Sequence, residues 1–296
     1  MRAFLKHIRF ILLMVIGVSL VLSYASLWAL RQGQFYKPSF ITHVPTKTFD
    51  YVVLGSSVGL TGLNTRVMDS VLGTDGINLA MDDTSLASQY VMLQHFIASG
   101  KRSKVCVLAA SMMDYNRSNP VLSSNDYRFL PYISTPYVQG HYQGFSGGES
   151  RILQWSRWLP SIGMGYYNAE LFYPGLLSIV KPKKRNRFDA LGNYSYPVLR
   201  KESHAHQDRE SRPIVFKNPY LQKIETLCTE NGITLVVYVP PHGRINAEIK
   251  ASPFKVVNYS GVLTEDWYFY DALHVNKRGQ QAVSLLFAQQ LAPYFN

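Results

Sequence analysis

The chain has 296 residues, 47% hydrophobic and 17% charged, too apolar for a disordered protein and long enough to bury a sizeable core. An aromatic content of 13%, with 20 Tyr and 15 Phe, excludes a collagen-like, coiled-coil or low-complexity chain, and two cysteines exclude a disulfide scaffold. The net charge of +11 is uneven: residues 1–40 hold five basic residues and no acid, residues 181–217 hold ten basic and four acidic, and the remainder is neutral. A nucleic-acid partner is therefore not expected, because such a binder spreads basic side chains with interleaved aromatics over a folded face.

From Phe10 to Leu30 the chain is uncharged, and at about 1.5 Å per residue a helix of this length spans roughly 30 Å of hydrocarbon. Arg2, Lys6 and Arg9 precede it, so the positive-inside rule predicts a cytoplasmic N-terminus, with everything after Arg31 outside and Tyr24 and Trp28 at the outer interface. The run exceeds the roughly 7 to 15 residues of a signal-peptide core, and no small-x-small cleavage site closes it. Residues 1–31 are thus expected to be a cytoplasmic stub and an uncleaved single-pass anchor in the cell membrane. Residues 32–46 are expected to be a juxtamembrane linker, with Pro38 and Pro45 interrupting any helix.

Residues 47–296 alternate short apolar runs with helical patterns, which predicts an α/β domain with a parallel sheet. FDYVVLG (49–55), GINLAM (76–81) and KVCVLAA (104–110) read as the first three strands. Between them, Thr65 is expected to cap a helix bearing Val67, Met68, Val71 and Leu72, with Gly73 closing it. Leu86, Tyr90, Leu93 and Ile97 share a second helical face before Gly100. Far along the chain, a helix over Pro219–Glu230 precedes ITLVVYVP (233–240), the fourth strand, and WYFYDA reads as a short fifth. The last helix carries Val283, Leu286, Phe287 and Leu291, with Asn276 as its cap. Cys106 and Cys228 are expected as buried free thiols. The large insert between, about 111–218, is rich in Tyr, Gly, Pro and Trp and is expected to form lids and irregular helices over one sheet edge. Its KPKKRNR run is either a solvated loop or a surface for an anionic polymer.

In open α/β sheets function gathers at the carboxyl ends of the strands. The first strand ends in LGSSVG, which puts Ser56 and Ser57 on a strand-to-helix turn where N–H donors converge. Near the other end of the chain, YFYDALHVNKRG places Asp271 and His274 three residues apart, a pair that neither core nor helix needs. A serine hydroxyl becomes a nucleophile when an imidazole takes its proton, and the imidazole works better when a carboxylate holds its other nitrogen.

With these two blocks, LGSSVG and DALHVNKRG, the sequence resembles the SGNH or GDSL-type hydrolase superfamily. The resemblance covers about 49–110 and 220–296 and not the insert. It implies a flavodoxin-like three-layer α/β/α fold with a parallel sheet, with Ser57 as nucleophile, His274 as base and Asp271 as its orienter. It further implies an oxyanion hole built from the Ser57 N–H, the Asp83 N–H after the second strand and Asn116 after the third. Asp82 and Asp83 stand where that family has glycine. The Gly-Ser-Ser version, the anchor and the insert look most like an extracytoplasmic branch acting on envelope polymers. The implied activity is a serine esterase or O-acyltransferase acting on acyl, typically acetyl, groups of a cell-envelope polysaccharide. It would need no cofactor and would be supplied by a membrane acyl-donor protein. His242, at the end of the fourth strand, is expected as a substrate contact.

The sequence leaves three rival readings. Gly55, Gly59, Gly62 and Asp82 faintly match a dinucleotide site, but the glycine order is wrong and the serine pair would have no role. His204 and His206, with His141 or His242, suggest a metal site only without the helical His-x-x-x-His spacing, so a polar loop is expected and no metal. The third is a catalytically inactive protein of the same fold that binds or assembles the envelope polymer.

Overall fold

The uncharged run folds as part of one long helix, Arg2–Gln32, in the computed structural model, which describes residues 1–199 and 209–295. This helix is long and apolar enough to cross a membrane. The chain divides into two units, Met1–His43 with Asp126–Asn186, and Val44–Asn125 with Arg187–Asn296.

In the first unit, the long helix exposes its side chains up to Val18 and buries Ser23, Leu27, Ala29 and Leu30. There it meets the helix Asn168–Val180, so closely that a Cβ placed on Gly175 would lie 3.5 Å from the Ser26 carbonyl oxygen. The expected linker is corrected here, because Lys37–His43 is a helix with Lys37 through Ile41 buried. Pro38 lies in its first turn, where the missing N–H has no intrahelical partner in any case, so this proline is compatible with the helix. The expected single insert over 111–218 is also divided. Residues 126–186 bring their own core, with Phe129, Leu130, Val138, Tyr142, Leu153 and Leu171 fully buried, and cluster with the N-terminal helices. Their remaining helices are Pro136–Gln143, Gly148–Trp155 and Ser161–Tyr166.

Among the described residues the second unit has seven strands: β1 (Thr48–Gly55), β2 (Gly76–Asn78), β3 (Arg102–Ala109), β4 (Glu210–Pro213), β5 (Thr234–Val239), β6 (Ile245–Glu248) and β7 (Val256–Asn258). Five of them form a parallel sheet in the order β2-β1-β3-β5-β7, while β4 and β6 form a separate parallel pair. Period-two alternation sends Tyr51, Val53, Val105, Val107, Val236 and Tyr238 to one face, where Met68, Val283, Phe287 and Leu291 cover them. Each of these large apolar side chains contributes roughly 1.5 to 3 kcal/mol by leaving water. The alternate residues point the other way, and there the Cys106 thiol meets Cys228 of the helix Pro219–Glu230, both thiols free and buried. Helices thus cover both faces of a parallel sheet, as a βαβ chain requires.

The first four strands fall where the apolar runs place them. The fifth does not. WYFYDA forms a short 3₁₀ turn, Asp266–Tyr268, and a single bridge between Phe269 and Val275, while the sheet edge is filled by β7. The segment turns back on itself because the Asp271 carboxylate accepts its own loop's N–H groups, from Leu273 at 2.8 Å and His274 at 2.7 Å. One cap differs from the expected residue: Asn64, not Thr65, caps the helix Thr65–Leu72, while Gly73 closes it at φ 66° as expected. Asn276 caps the last helix, Lys277–Leu291, accepting from Arg278 N–H at 2.9 Å, while Leu286 stays exposed beside the buried stripe.

Candidate active site

The turn after β1 is shaped by close backbone approach. A Cβ on Gly55 would lie 2.0 Å from the Ala109 carbonyl oxygen at the end of β3, so only glycine fits. The Gly55 N–H donates to Gln89 Oε1 at 3.0 Å and the Ser56 N–H to Ala109 O at 3.2 Å, which fixes the turn. A short helix, Ser57–Gly62, starts at once, so Ser57 is its first residue and its N–H has no intrahelical acceptor. Ser56 is buried, and its hydroxyl has no hydrogen-bond partner among the described residues.

The other half of the site lies in the loop 269–276. Asn276 is buried and donates to the Trp267 and Phe269 carbonyls at 2.7 and 3.1 Å while capping the last helix, so one side chain ties both ends of the loop together. Gly279 permits that closure, since a Cβ there would meet the Tyr268 carbonyl oxygen at 2.3 Å.

The two halves meet. Ser57 Oγ lies 2.9 Å from His274 Nε2, and His274 Nδ1 lies 2.9 Å from Asp271 Oδ2 and 3.1 Å from Oδ1. Burial alone would raise the Asp271 pKa, but hydrogen bonds from the His274 ring and from the Leu273 and His274 N–H groups outweigh it and hold the carboxyl below its ordinary range. An ionised carboxylate only accepts hydrogen bonds. Nδ1 therefore carries the proton, and Nε2 is left to accept from the serine hydroxyl. This arrangement can deprotonate Ser57 as its oxygen attacks, with Asp271 balancing the charge that develops on the ring. Of the two serines, Ser57 is the one so connected.

The remaining expected residues fare differently. Asn116 is not in the site: its amide donates to Pro213 O at 2.8 Å and its carbonyl accepts from Val215 N–H at 2.8 Å, so backbone at the end of β4 consumes both ends of the side chain. Asp83 sits at a turn with φ 50°, and among the described residues no hydrogen bond joins it to Ser57, His274 or Asp271. It lines a separate cavity of about 320 Å³ with Ser111, Asp114, Arg117 and Ser123. His242 is brought close to the loop 269–276, because the adjacent Gly243 N–H donates to Ala272 O at 3.0 Å. Burial, then Arg212 and Arg209, pushes the His242 pKa down to about 4, and its Nδ1 accepts from Arg244 N–H at 3.0 Å.

Sequence reasoning missed Tyr196. It stacks on Tyr270 at 4.2 Å and 8° and lies 5.3 Å from the His274 ring, and its carbonyl accepts from Lys277 N–H at 2.9 Å. It lies in the region read as an insert without periodicity, and only the repeated tyrosines of NYSYP mark it.

Among the described residues no group of three or more His, Cys, Asp or Glu is placed to hold a metal. His141 is paired with Asp126, and His204 and His206 lie outside the described residues. No family model matches the chain, and a comparison with curated proteins finds no match.

Proposed function

We propose that this chain is a membrane-anchored, extracytoplasmic serine O-acyltransferase or esterase acting on ester-linked acyl groups, acetyl first among them, of a cell-envelope polysaccharide. The observation that carries this reading is the unbroken connection Ser57 Oγ to His274 Nε2 and His274 Nδ1 to Asp271, assembled at the carboxyl end of β1. The order of the five-stranded sheet, 2-1-3-4-5 when its strands are counted alone, agrees with the flavodoxin-like arrangement that the SGNH resemblance implies. The chemistry follows from the proton positions. His274 Nε2 takes the hydroxyl proton as Ser57 Oγ attacks the acyl carbonyl, and the Ser57 N–H stabilises the resulting oxyanion. The imidazolium returns its proton to the departing alcohol oxygen, leaving an acyl group on Ser57. A sugar hydroxyl or water, deprotonated by the same nitrogen, then attacks that ester and releases the serine.

Arg2, Lys6 and Arg9 before the apolar helix support a cytoplasmic N-terminus, with the second unit outside. One observation favours the second reading, an inactive polymer-binding factor: Asn116 is committed elsewhere, leaving the Ser57 N–H as the assigned oxyanion donor. A single assay separates the two. Purified full-length protein in detergent is given O-acetylated oligosaccharides, and acetate release and transfer are followed. Ser57→Ala should lose about 10³-fold or more, and Asp271→Asn somewhat less. Equal turnover by Ser57→Ala and the native chain would end the serine mechanism, and no turnover by the native chain would favour the binding factor.

A further inference from the structure

The N-terminal helix crosses a bilayer only with its last turns included, and those turns are packed on one side. The apolar stretch without a buried residue, Phe10–Leu22, supplies about 13 residues, or roughly 20 Å, against a hydrocarbon core of about 30 Å, and beyond it Tyr24, Ala25 and Trp28 keep one side of the helix exposed. The window cannot slide toward the N-terminus, because Arg2, Lys6, His7 and Arg9 precede it. The missing length of about 10 Å must come from Ser23 to Leu30, where the helix is already packed. What packs there is the helix Asn168–Val180, with Gly175 against Ser26 and Leu30 and Ser178 against Gly33.

That helix has an exposed face that water does not explain. After its first turn, which exposes Asn168 and Glu170, every exposed residue is apolar: Tyr173, Leu176, Ile179 and Val180, at 63%, 64%, 59% and 76% exposure. The face ends abruptly in charge. Lys181, Lys183 and Lys184 follow, all exposed, and the Pro182 carbonyl accepts from Gln34 N–H at 3.0 Å, level with the end of the long helix.

We propose that the helix Asn168–Val180 lies in the lipid bilayer beside the anchor, with Leu176, Ile179 and Val180 in the acyl region of the outer leaflet and the three lysines among lipid phosphates. The inference rests on the anchor reading given above. An exposed apolar stripe that ends in lysines suits the boundary between acyl chains and anionic headgroups, because the lysine heads reach the phosphates while the apolar side chains stay in hydrocarbon. The stripe lies on a helix packed directly against the anchor helix within one unit, with Gly175 against Ser26 and Leu30, and this argues for lipid as its occupant. The first unit is then a membrane-embedded shelf rather than a single rod.

The test places an environment-sensitive fluorophore on single introduced cysteines, Val15→Cys, Leu176→Cys, Ile179→Cys and Glu225→Cys, in the full-length chain. Cys106 and Cys228 are buried, so thiol labelling reports the introduced site. The protein is reconstituted alone into phosphatidylcholine and phosphatidylglycerol vesicles containing lipid spin-labelled on the acyl chain. Positions 176 and 179 should show blue-shifted emission and loss of fluorescence approaching that at position 15, with none at position 225. Quenching at 15 without quenching at 176 and 179 would overturn the shelf and leave the anchor intact. That is also the result expected if a protein partner covers this stripe in cells, because no partner is present in the vesicles. Absence of quenching at position 15 would overturn the anchor reading and the shelf with it.

Discussion

Two histidine–aspartate pairs, one in each unit, have nearly the same geometry and opposite surroundings. His141 Nε2 lies 3.0 Å from Asp126 Oδ2, and His274 Nδ1 lies 2.9 Å from Asp271 Oδ2. The first pair is sealed, with both side chains at 0% exposure, walled by Phe129, Tyr142 and Phe145, and its second ring nitrogen, Nδ1, has no partner among the described residues. The second pair is 13% and 46% exposed, and its second ring nitrogen meets a serine hydroxyl at the N-terminus of a helix. A paired imidazole is therefore not in itself a site. What makes chemistry available is a reactable group on the other nitrogen, together with room for a substrate.

Replacing each histidine in turn should separate the two pairs most sharply. His274→Ala should cost acyl transfer about 10³-fold or more, with little change in the melting curve. His141→Ala should do the reverse: activity per folded molecule stays near the native value, while stability falls by roughly 3 kcal/mol because Asp126 is left buried without that partner. Parallel activity and urea-denaturation measurements on both variants decide it, and a His141→Ala chain that is folded but inactive would contradict the division of roles.

A smaller effect concerns His242, held near pKa 4 first by burial and then by Arg212 and Arg209, with Asp271 opposing. In the unfolded chain its pKa returns to about 6.5. Between these values the folded chain binds fewer protons than the unfolded one, so stability falls as the pH drops through the window from about 6.5 to 4. His242→Asn, which keeps an acceptor for the Arg244 N–H, should flatten that slope. Urea titrations across the window read it directly, and an unchanged slope would show that other groups set it.

The smallest effect sharpens the choice between adjacent serines. The Ser56 hydroxyl is buried and unpartnered among the described residues, so Ser56→Ala should leave activity within a few-fold and leave stability unchanged or raised by up to about 1 kcal/mol. A loss matching that of Ser57→Ala would move the nucleophile by one residue.

The sheet was legible because its strands are buried on both faces and read as continuous apolar runs, as in Tyr51 to Leu54 and Val105 to Ala109. The connection of Ser57, His274 and Asp271 was legible for a different reason: Asp-x-x-His is a short block that bonds within itself, and the family resemblance joined it to Gly-Ser-Ser, whose partners Gln89, Ala109 and His274 lie far along the chain. Four things were not legible. WYFYDA has the composition of a strand, yet the Asp271 carboxylate captures its loop's N–H groups, a competition that propensity does not express. Asn116 was aligned by its position after a strand, and its partners, Pro213 and Val215, lie far along the chain. Residues 126–186 join the N-terminal helices through long-range packing that no local pattern announces, and Tyr196 reaches His274 by the same kind of distant closure.

In the proposed mechanism His274, held by Asp271, makes Ser57 and no other serine nucleophilic. A fluorophosphonate probe tests it without knowledge of the natural substrate, because it forms a stable phosphonyl ester only with an activated hydroxyl. Full-length native protein, Ser57→Ala and His274→Ala, each shown to be folded, are treated with the probe, and the modified residue is located by peptide mass spectrometry. An adduct is expected on Ser57 in the native chain, with none in Ser57→Ala and labelling slowed by orders of magnitude in His274→Ala. An adduct on Ser56, labelling of Ser57 at an undiminished rate without His274, or no adduct on the native chain would contradict it.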